Sequence, residues 1–284
     1  MSSNESPADD VSFWNSVGSS FPSLKGAPST AYYAECERLL FATFFPRLSN
    51  RRILKTDLWD EAKNTEILLW AAEQGARPAG VDIAFDTVQQ AKTTMGGYCP
   101  AFAVADVRAL PFQAETFDLI YSMGTIEHFQ EHETAVRQMF RVLKPKGVAI
   151  IGVPNRCDPF LRPLMVWGLQ RIGRYAYGLE RSFTPGQLKG LVESAGFIVT
   201  GLTGILFMPG WLRMLDLLFH TRFPRLTALT RWGIRPFAWL YRRVPWLRRH
   251  GYLIAVVVEK PALKGSHLRR TDSACSSPLR ALPT

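Results

Sequence analysis

The side chains best suited to chemistry stand at the ends of apolar runs. Asp82 closes Ala79-Gly80-Val81, Asp106 follows the run from Phe102 to Ala105, and Phe117-Asp118-Leu119-Ile120-Tyr121-Ser122 breaks into Met123-Gly124-Thr125-Ile126-Glu127-His128. Carboxylates accept hydrogen bonds from hydroxyl and amino groups. An imidazole titrates near neutrality, which makes His128 a candidate proton acceptor and Glu127 a reserve base or the group that orients it. For a single histidine a structural role is the competing explanation. His132, one helical turn further on, could substitute but is expected to be exposed. A second acidic group, Asp57, Asp60 and Glu61, follows the short apolar run Arg52-Ile53-Leu54-Lys55-Thr56.

Each of these runs has the length and composition of a buried strand, and each is followed by a helical or polar segment, as in an open parallel sheet. In such sheets ligands sit in the crevice beyond the carboxyl ends of the strands. Arg52 to Thr56 is expected as the first strand, Ala79 to Ile83 as the second with a helix from Thr87 to Lys92, and Val148 to Val153 as the fifth. Thr184 caps a helix that starts at Pro185 and ends before Gly196, Ile198 to Leu202 is the sixth strand, and Tyr252 to Val258 the last. Ser29 and Thr30 are candidate caps for a leading helix from Ala31 to about Phe44.

In order and spacing, residues 51–196 resemble the class I S-adenosylmethionine-dependent methyltransferases, in particular the quinone-type and other small-molecule enzymes. The resemblance implies an α/β fold: a Rossmann-like, doubly wound sheet of seven strands, the last antiparallel, with helical insertions at the active-site edge. It implies S-adenosylmethionine as cofactor. Asp82 would bind the ribose hydroxyls with Ile83 against the adenine, Asp106 would meet the adenine amino group with Val107 on the ring, and Ser122 and Met123 would lead into an active-site loop reaching His128. It departs from the family pattern at one place: no glycine occurs between Asn50 and Gln74, where a glycine-rich turn normally lets the backbone pass close to the cofactor. Thr56 or Asp57 would then lie near the methionine moiety, with Asn64 or Thr65 capping the next helix. The loop acids either answer the cofactor's positive charge or mark a site that no longer works. Asp57 alone is as well explained as a helix cap.

The chain has 284 residues and a net charge of +10, enough for one α/β domain with additions. Residues 1–28 are expected to be a flexible arm, although Phe13, Trp14 and Phe21 could dock on the body, 29–260 the catalytic domain with its leading helix in 29–50, and 261–284 a disordered tail. Two basic, aromatic insertions are expected at 154–181 and 204–251. The second holds nine arginines and one acid, Asp216. Helices near residues 211–220 and 237–247 would either lie in a lipid head-group layer or close as a lid over the substrate, with Tyr32, Tyr33, Arg156 and Trp211 as candidate substrate or lid residues. Tyr32 and Tyr33 are equally well explained as packing aromatics. Four cysteines, Cys36, Cys99, Cys157 and Cys275, without a CxxC pair suit a reduced cytoplasmic protein and imply no metal site. The acidic, polar start is not a signal peptide and no apolar run is long enough to span a membrane, so contact with the inner face of an anionic membrane would be peripheral. The leading expectation is methyl transfer to a lipophilic small molecule, an oxygen of a lipid, prenylated phenol or quinone-like acceptor. The alternatives are a non-catalytic binding or scaffold protein on the same fold and, less favoured, an RNA methyltransferase.

Overall fold

A computed structural model describes residues 7–262. Its centre is a seven-stranded sheet ordered β3-β2-β1-β4-β5-β7-β6, made of β1 (Arg52–Lys55), β2 (Arg77–Asp82), β3 (Ala101–Val104), β4 (Phe117–Met123), β5 (Leu143–Pro154), β6 (Ile198–Ile205) and β7 (Leu253–Glu259). β1 to β5 pair in parallel, whereas β7 runs antiparallel to both β5 and β6. This is the expected Rossmann-like arrangement. The central strands bury both faces, and continuous apolar runs such as Val148 to Val153 follow from that.

Among the described residues ten α-helices surround the sheet: α1 (Pro7–Ser20), α2 (Pro28–Phe44), α3 (Trp59–Lys63), α4 (Ile67–Glu73), α5 (Phe85–Met95), α6 (His132–Val142), α7 (Arg162–Arg171), α8 (Pro185–Ser194), α9 (Gly210–Arg222) and α10 (Thr227–Arg243). One core lies between the sheet and α2, α4, α5, α9 and α10, and the other between the sheet, α6 and α8. α8 begins as expected: the Thr184 side chain accepts from the Gln187 N–H while Gln187 answers the Thr184 N–H, and Gly196 follows the helix at φ 99°.

Several local expectations are corrected. Residues 1–28 are not a loose arm throughout, because α1 packs on α5 and Trp14 reaches the carboxyl edge of the sheet. α2 starts at Pro28, so neither Ser29 nor Thr30 is its cap; the Ser29 N–H is taken instead by the Asp216 carboxylate of α9 at 2.7 Å. Asn64 and Thr65 do not cap α4. Glu66 occupies its N-cap in left-handed conformation, and the Leu68 N–H is satisfied by Glu61 at 3.0 Å. The helix expected over 237–247 begins ten residues earlier, at Thr227. His132 is buried rather than exposed, with Nδ1 2.8 Å from the Ile126 carbonyl oxygen. Cys36, Cys99 and Cys157 are free. Cys275 and the tail expected to be disordered, from residue 263 on, lie outside the described residues. Among the described residues no helix is long and apolar enough to cross a membrane.

Candidate active site

The carboxyl ends of β1, β2, β3 and β4 open into a single cleft roofed by α1, α2, α9 and the segment 172–180. Asp82, Ile83, Asp106 and Val107 line one part of it, Thr56, Asp57 and Asp60 another, and Met123, Glu127 and His128 a third. Two acids from neighbouring strands thus face one cavity, as the pattern of strand ends predicts.

The loop without glycine is accommodated by a glycine elsewhere. Leu58 is fully buried against β2, and a Cβ on Gly80 would lie 2.5 Å from Leu58 Cδ2. The absent side chain at position 80 makes room for the side chain that the loop carries. The Leu58 N–H then donates to Asp82 Oδ2 at 2.9 Å, and the Ala84 N–H to Asp82 Oδ1 at 2.8 Å. Each oxygen keeps a lone pair for a ligand hydroxyl. Burial pushes the Asp82 carboxyl up to about 6, against the pull of those two N–H groups.

Lys55, at the end of β1, is fully buried among acids, with Nζ 2.9 Å from Asp57, 3.0 Å from Asp60 and 3.4 Å from Glu61. Burial alone would lower its pKa, but the three carboxylates outweigh burial and hold it well above the ordinary lysine value. Burial raises Glu61 to about 7 and Asp57 above the usual carboxylate range, Lys55 opposing in both. Thr125 donates to Asp57 Oδ2 at 3.1 Å, and Asn64 donates to Asp60 Oδ1 at 2.7 Å. One ammonium against three acids leaves the loop able to accept a further cation through Asp57 and Asp60, which face the cleft. Glu61 faces the protein interior instead and holds α4.

Asp106 caps the turn after β3 by accepting from the Arg108 N–H at 2.7 Å, and the Arg108 side chain grips both its oxygens before reaching Glu131 at 3.0 Å. Asp106 can therefore meet a ligand donor only through its remaining lone pairs. Met123 fits because Gly152 on β5 has no side chain: a Cβ there would stand 2.2 Å from the Met123 sulfur.

His128 packs edge to face on Trp14, ring centroids 4.8 Å apart, and Nδ1 lies 2.7 Å from the Leu179 carbonyl oxygen. A carbonyl only accepts, so Nδ1 carries the proton and Nε2 offers its lone pair. Burial lowers the imidazole pKa, which keeps it neutral. Glu127 is the opposite case: burial first, then the nearby Glu180 charge, push its carboxyl well above the usual range. Its Oε1 is 3.8 Å from His128 Nε2, and its Oε2 is buried without a hydrogen-bond partner.

Not every expected site residue reaches the cleft. Ser122 lies behind Thr56, whose hydroxyl donates to it at 2.8 Å. Tyr33 lines the cleft, but Tyr32 turns away to pack on Tyr241. Arg156 is exposed, its N–H bound to the Phe183 carbonyl, and Trp211 is 58% exposed; neither lines the cavity. Sequence reasoning missed the far wall of Trp59, Tyr175, Tyr177, Glu180 and Tyr252, and the cleft-facing positions of Arg162 and Arg213. Arg162 is buried, ion-paired with Glu180 at 2.5 Å and stacked over Tyr252 at 4.0 Å. A signal was present, since Glu180 is the lone acid between residues 159 and 183, and a buried acid in a basic stretch must meet a cation.

Residues 63–151 match the family model described as a methyltransferase domain. The ubiquinone biosynthesis O-methyltransferase of Methylobacterium nodulans is 28% identical over 143 residues, which cover 49% of this chain and 57% of that protein. The 2-methyl-6-phytyl-1,4-hydroquinone methyltransferase of Synechocystis is 27% identical over 184 residues, covering 62% and 56%. The chain thus spans little more than half the length of these curated relatives. Among solved structures, the methyltransferase complexed with the Trm112 activator from Haloferax volcanii superposes with a TM-score of 0.59 at 17% identity, over 90% of this chain and 98% of that one. An S-adenosylmethionine-dependent methyltransferase from Mesorhizobium loti gives 0.53 at 16%, over 79% and 97%. The matched residues are a methyltransferase domain, and the fold around them is that of the class I S-adenosylmethionine-dependent methyltransferases.

Proposed function

We propose that the protein transfers a methyl group from S-adenosylmethionine to an oxygen of a lipophilic small molecule, a lipid, prenylated phenol or quinone-like acceptor, at a membrane surface. The observation that carries this reading is one cleft that joins Asp82, Asp106 and the acidic loop to an aromatic wall of Trp59, Tyr175, Tyr177 and Tyr252. The residues fit the cofactor: Asp82 has lone pairs for ribose hydroxyls, Ile83 and Val107 offer apolar contact for adenine, and Asp57 and Asp60 offer negative charge for its ammonium and sulfonium. When bound, S-adenosylmethionine supplies an electrophilic methyl group. The protein's part is to align the acceptor behind that carbon and to receive a proton. His128 is the base, neutral and with Nε2 free. Glu127, kept protonated by burial, is a neutral neighbour rather than a second base. Trp14 covers the imidazole and limits its access to water.

The relatives' quinone and hydroquinone names support a lipophilic acceptor. The distribution of tryptophan supports a membrane surface. Five of the eight tryptophans, Trp167, Trp211, Trp232, Trp239 and Trp246, are 54% to 69% exposed, and all lie in the two basic insertions. Large apolar side chains interleaved with arginine suit a head-group layer, where each basic residue contributes about 1 kcal/mol.

Calorimetric titration of the full chain with S-adenosylhomocysteine tests the cofactor: saturable one-site binding is expected, and none in a folded sample removes the enzymatic reading. Flotation with vesicles tests the surface. Recovery should be greater with anionic than with neutral lipid and should fall in Trp232→Ser/Trp246→Ser and in Arg242→Glu/Arg243→Glu; equal recovery in all of them removes the membrane from the proposal.

A further inference from the structure

Of the nine arginines in 204–251, Arg213 is the one that lines the cleft. Its Nη1 is buried and has no hydrogen-bond partner, and its guanidinium carbon lies 5.2 Å from the centre of the Tyr33 ring. A buried donor left without an acceptor is costly, and an anionic ligand would relieve it. Its placement is enforced from one helical turn away. Asp216 is fully buried and binds both the Ser29 N–H at the start of α2 and the Thr230 hydroxyl of α10. That link docks α9 on the helix that carries Tyr33.

Negative charge lies near Tyr33 as well, and Asp57 and Asp60 line the same cleft. Burial raises the Tyr33 hydroxyl pKa first, the Asp60, Glu37 and Asp57 carboxylates add to that, and the Arg213 guanidinium opposes them. The one cleft therefore presents, together with Tyr33, two carboxylates that can take up a cation and one guanidinium with an unused donor. An α-amino acid zwitterion carries the complementary pair.

We infer that Arg213 is the receptor for the carboxylate at the amino-acid end of S-adenosylmethionine, with Asp57 and Asp60 receiving the ammonium in the same cleft. This rests on the cofactor reading above and extends it: the second insertion closes on the cofactor, not on the acceptor alone. The acidic loop and the insertion arginine then form one device, assembled from segments about 150 residues apart in sequence.

The test compares S-adenosylhomocysteine with 5′-methylthioadenosine, which keeps adenine, ribose and sulfur but lacks the amino-acid group. In calorimetric titration of the full chain, Arg213→Gln should weaken S-adenosylhomocysteine at least about tenfold, the scale of a lost charge-assisted hydrogen bond, and leave 5′-methylthioadenosine unchanged. Arg213→Lys should restore part of the loss, and Asp57→Asn should show the same selectivity as Arg213→Gln. Unchanged 5′-methylthioadenosine binding also reports that the variant cleft is folded. Equal losses for both ligands, or unaltered S-adenosylhomocysteine binding in Arg213→Gln, would overturn the assignment. If the wild type binds neither ligand, the underlying cofactor reading fails and takes this one with it.

Discussion

Gly80→Ala tests how a loop without glycine can border a nucleotide-sized cleft. The added methyl would lie 2.5 Å from Leu58 Cδ2 and 3.3 Å from Cγ, and Leu58 is fully buried. Overpacking of this kind costs about 1–3 kcal/mol, which is about 2–4 °C of Tm for each kcal/mol in a domain of this size. Relief requires residues 57–59 to move outward, drawing the Leu58 N–H from Asp82 Oδ2, now at 2.9 Å. S-adenosylhomocysteine affinity should then fall together with stability. The decisive measurement is a double-mutant cycle by urea denaturation. Leu58→Ala alone should cost about 2–5 kcal/mol, but less in the Gly80→Ala background, with a coupling of at least about 1 kcal/mol. Additive effects, or a Gly80→Ala protein within about 0.5 kcal/mol of wild type and with unaltered affinity, would refute the claim that position 80 makes room for the loop.

Three further outcomes follow. Burial raises the Asp82 carboxyl to about 6; if it holds the ribose as proposed, it does so best when ionised, so affinity for S-adenosylhomocysteine should be flat above about pH 7. It should fall on acidification to about one tenth at pH 5, and Asp82→Asn should bind weakly at every pH; calorimetry from pH 5 to 8 checks both. His128→Gln should lower kcat about 10²–10⁴-fold without changing S-adenosylhomocysteine binding. Because burial lowers the imidazole pKa, the acid limb of the wild-type rate should lie below the ordinary imidazole value; steady-state kinetics across pH, begun once an acceptor is in hand, decide this. Asp216→Ala would leave the buried Ser29 N–H without its partner, at about 1–3 kcal/mol, and remove one of the two acceptors of the Thr230 hydroxyl, which keeps the Thr227 carbonyl; thermal melting together with faster proteolysis of α9 should report it.

The parts of the site that were legible in the sequence are those fixed by local pattern. A strand ending in an acid announces both its element and its edge, so Asp82, Asp106 and the stretch from Met123 to His128 fall where expected. The capping box at Thr184 is local in the same way. What was not legible depends on contacts between distant segments. α1 has no strong apolar periodicity, and although Trp14 is a candidate to dock on the body, its partner His128 lies more than 100 residues later. Asn64 looked like a cap from its position, but Thr30 and Asp60 take its side chain. Trp211 had the composition of a lid residue, yet its place on α9 turns it outward while Arg213, two residues on, faces the cleft.

The absence of glycine from the first loop and the excess of buried carboxylates are one solution rather than two peculiarities. A loop that keeps its side chains beside a cleft must put them somewhere. Leu58 is housed by Gly80, but Asp57, Asp60 and Glu61 converge on a single ammonium, Lys55, from which they cannot all be neutralised. With the cleft empty, protonation relieves the imbalance, as the raised Asp57 and Glu61 pKa values indicate. A bound cation relieves it without protonation. The loop is therefore strained electrostatically when no ligand is present and satisfied by a positively charged one, which a glycine-rich turn offering only backbone could not achieve. On the proposed reading, selectivity for a sulfonium and an ammonium would reside in side-chain charge.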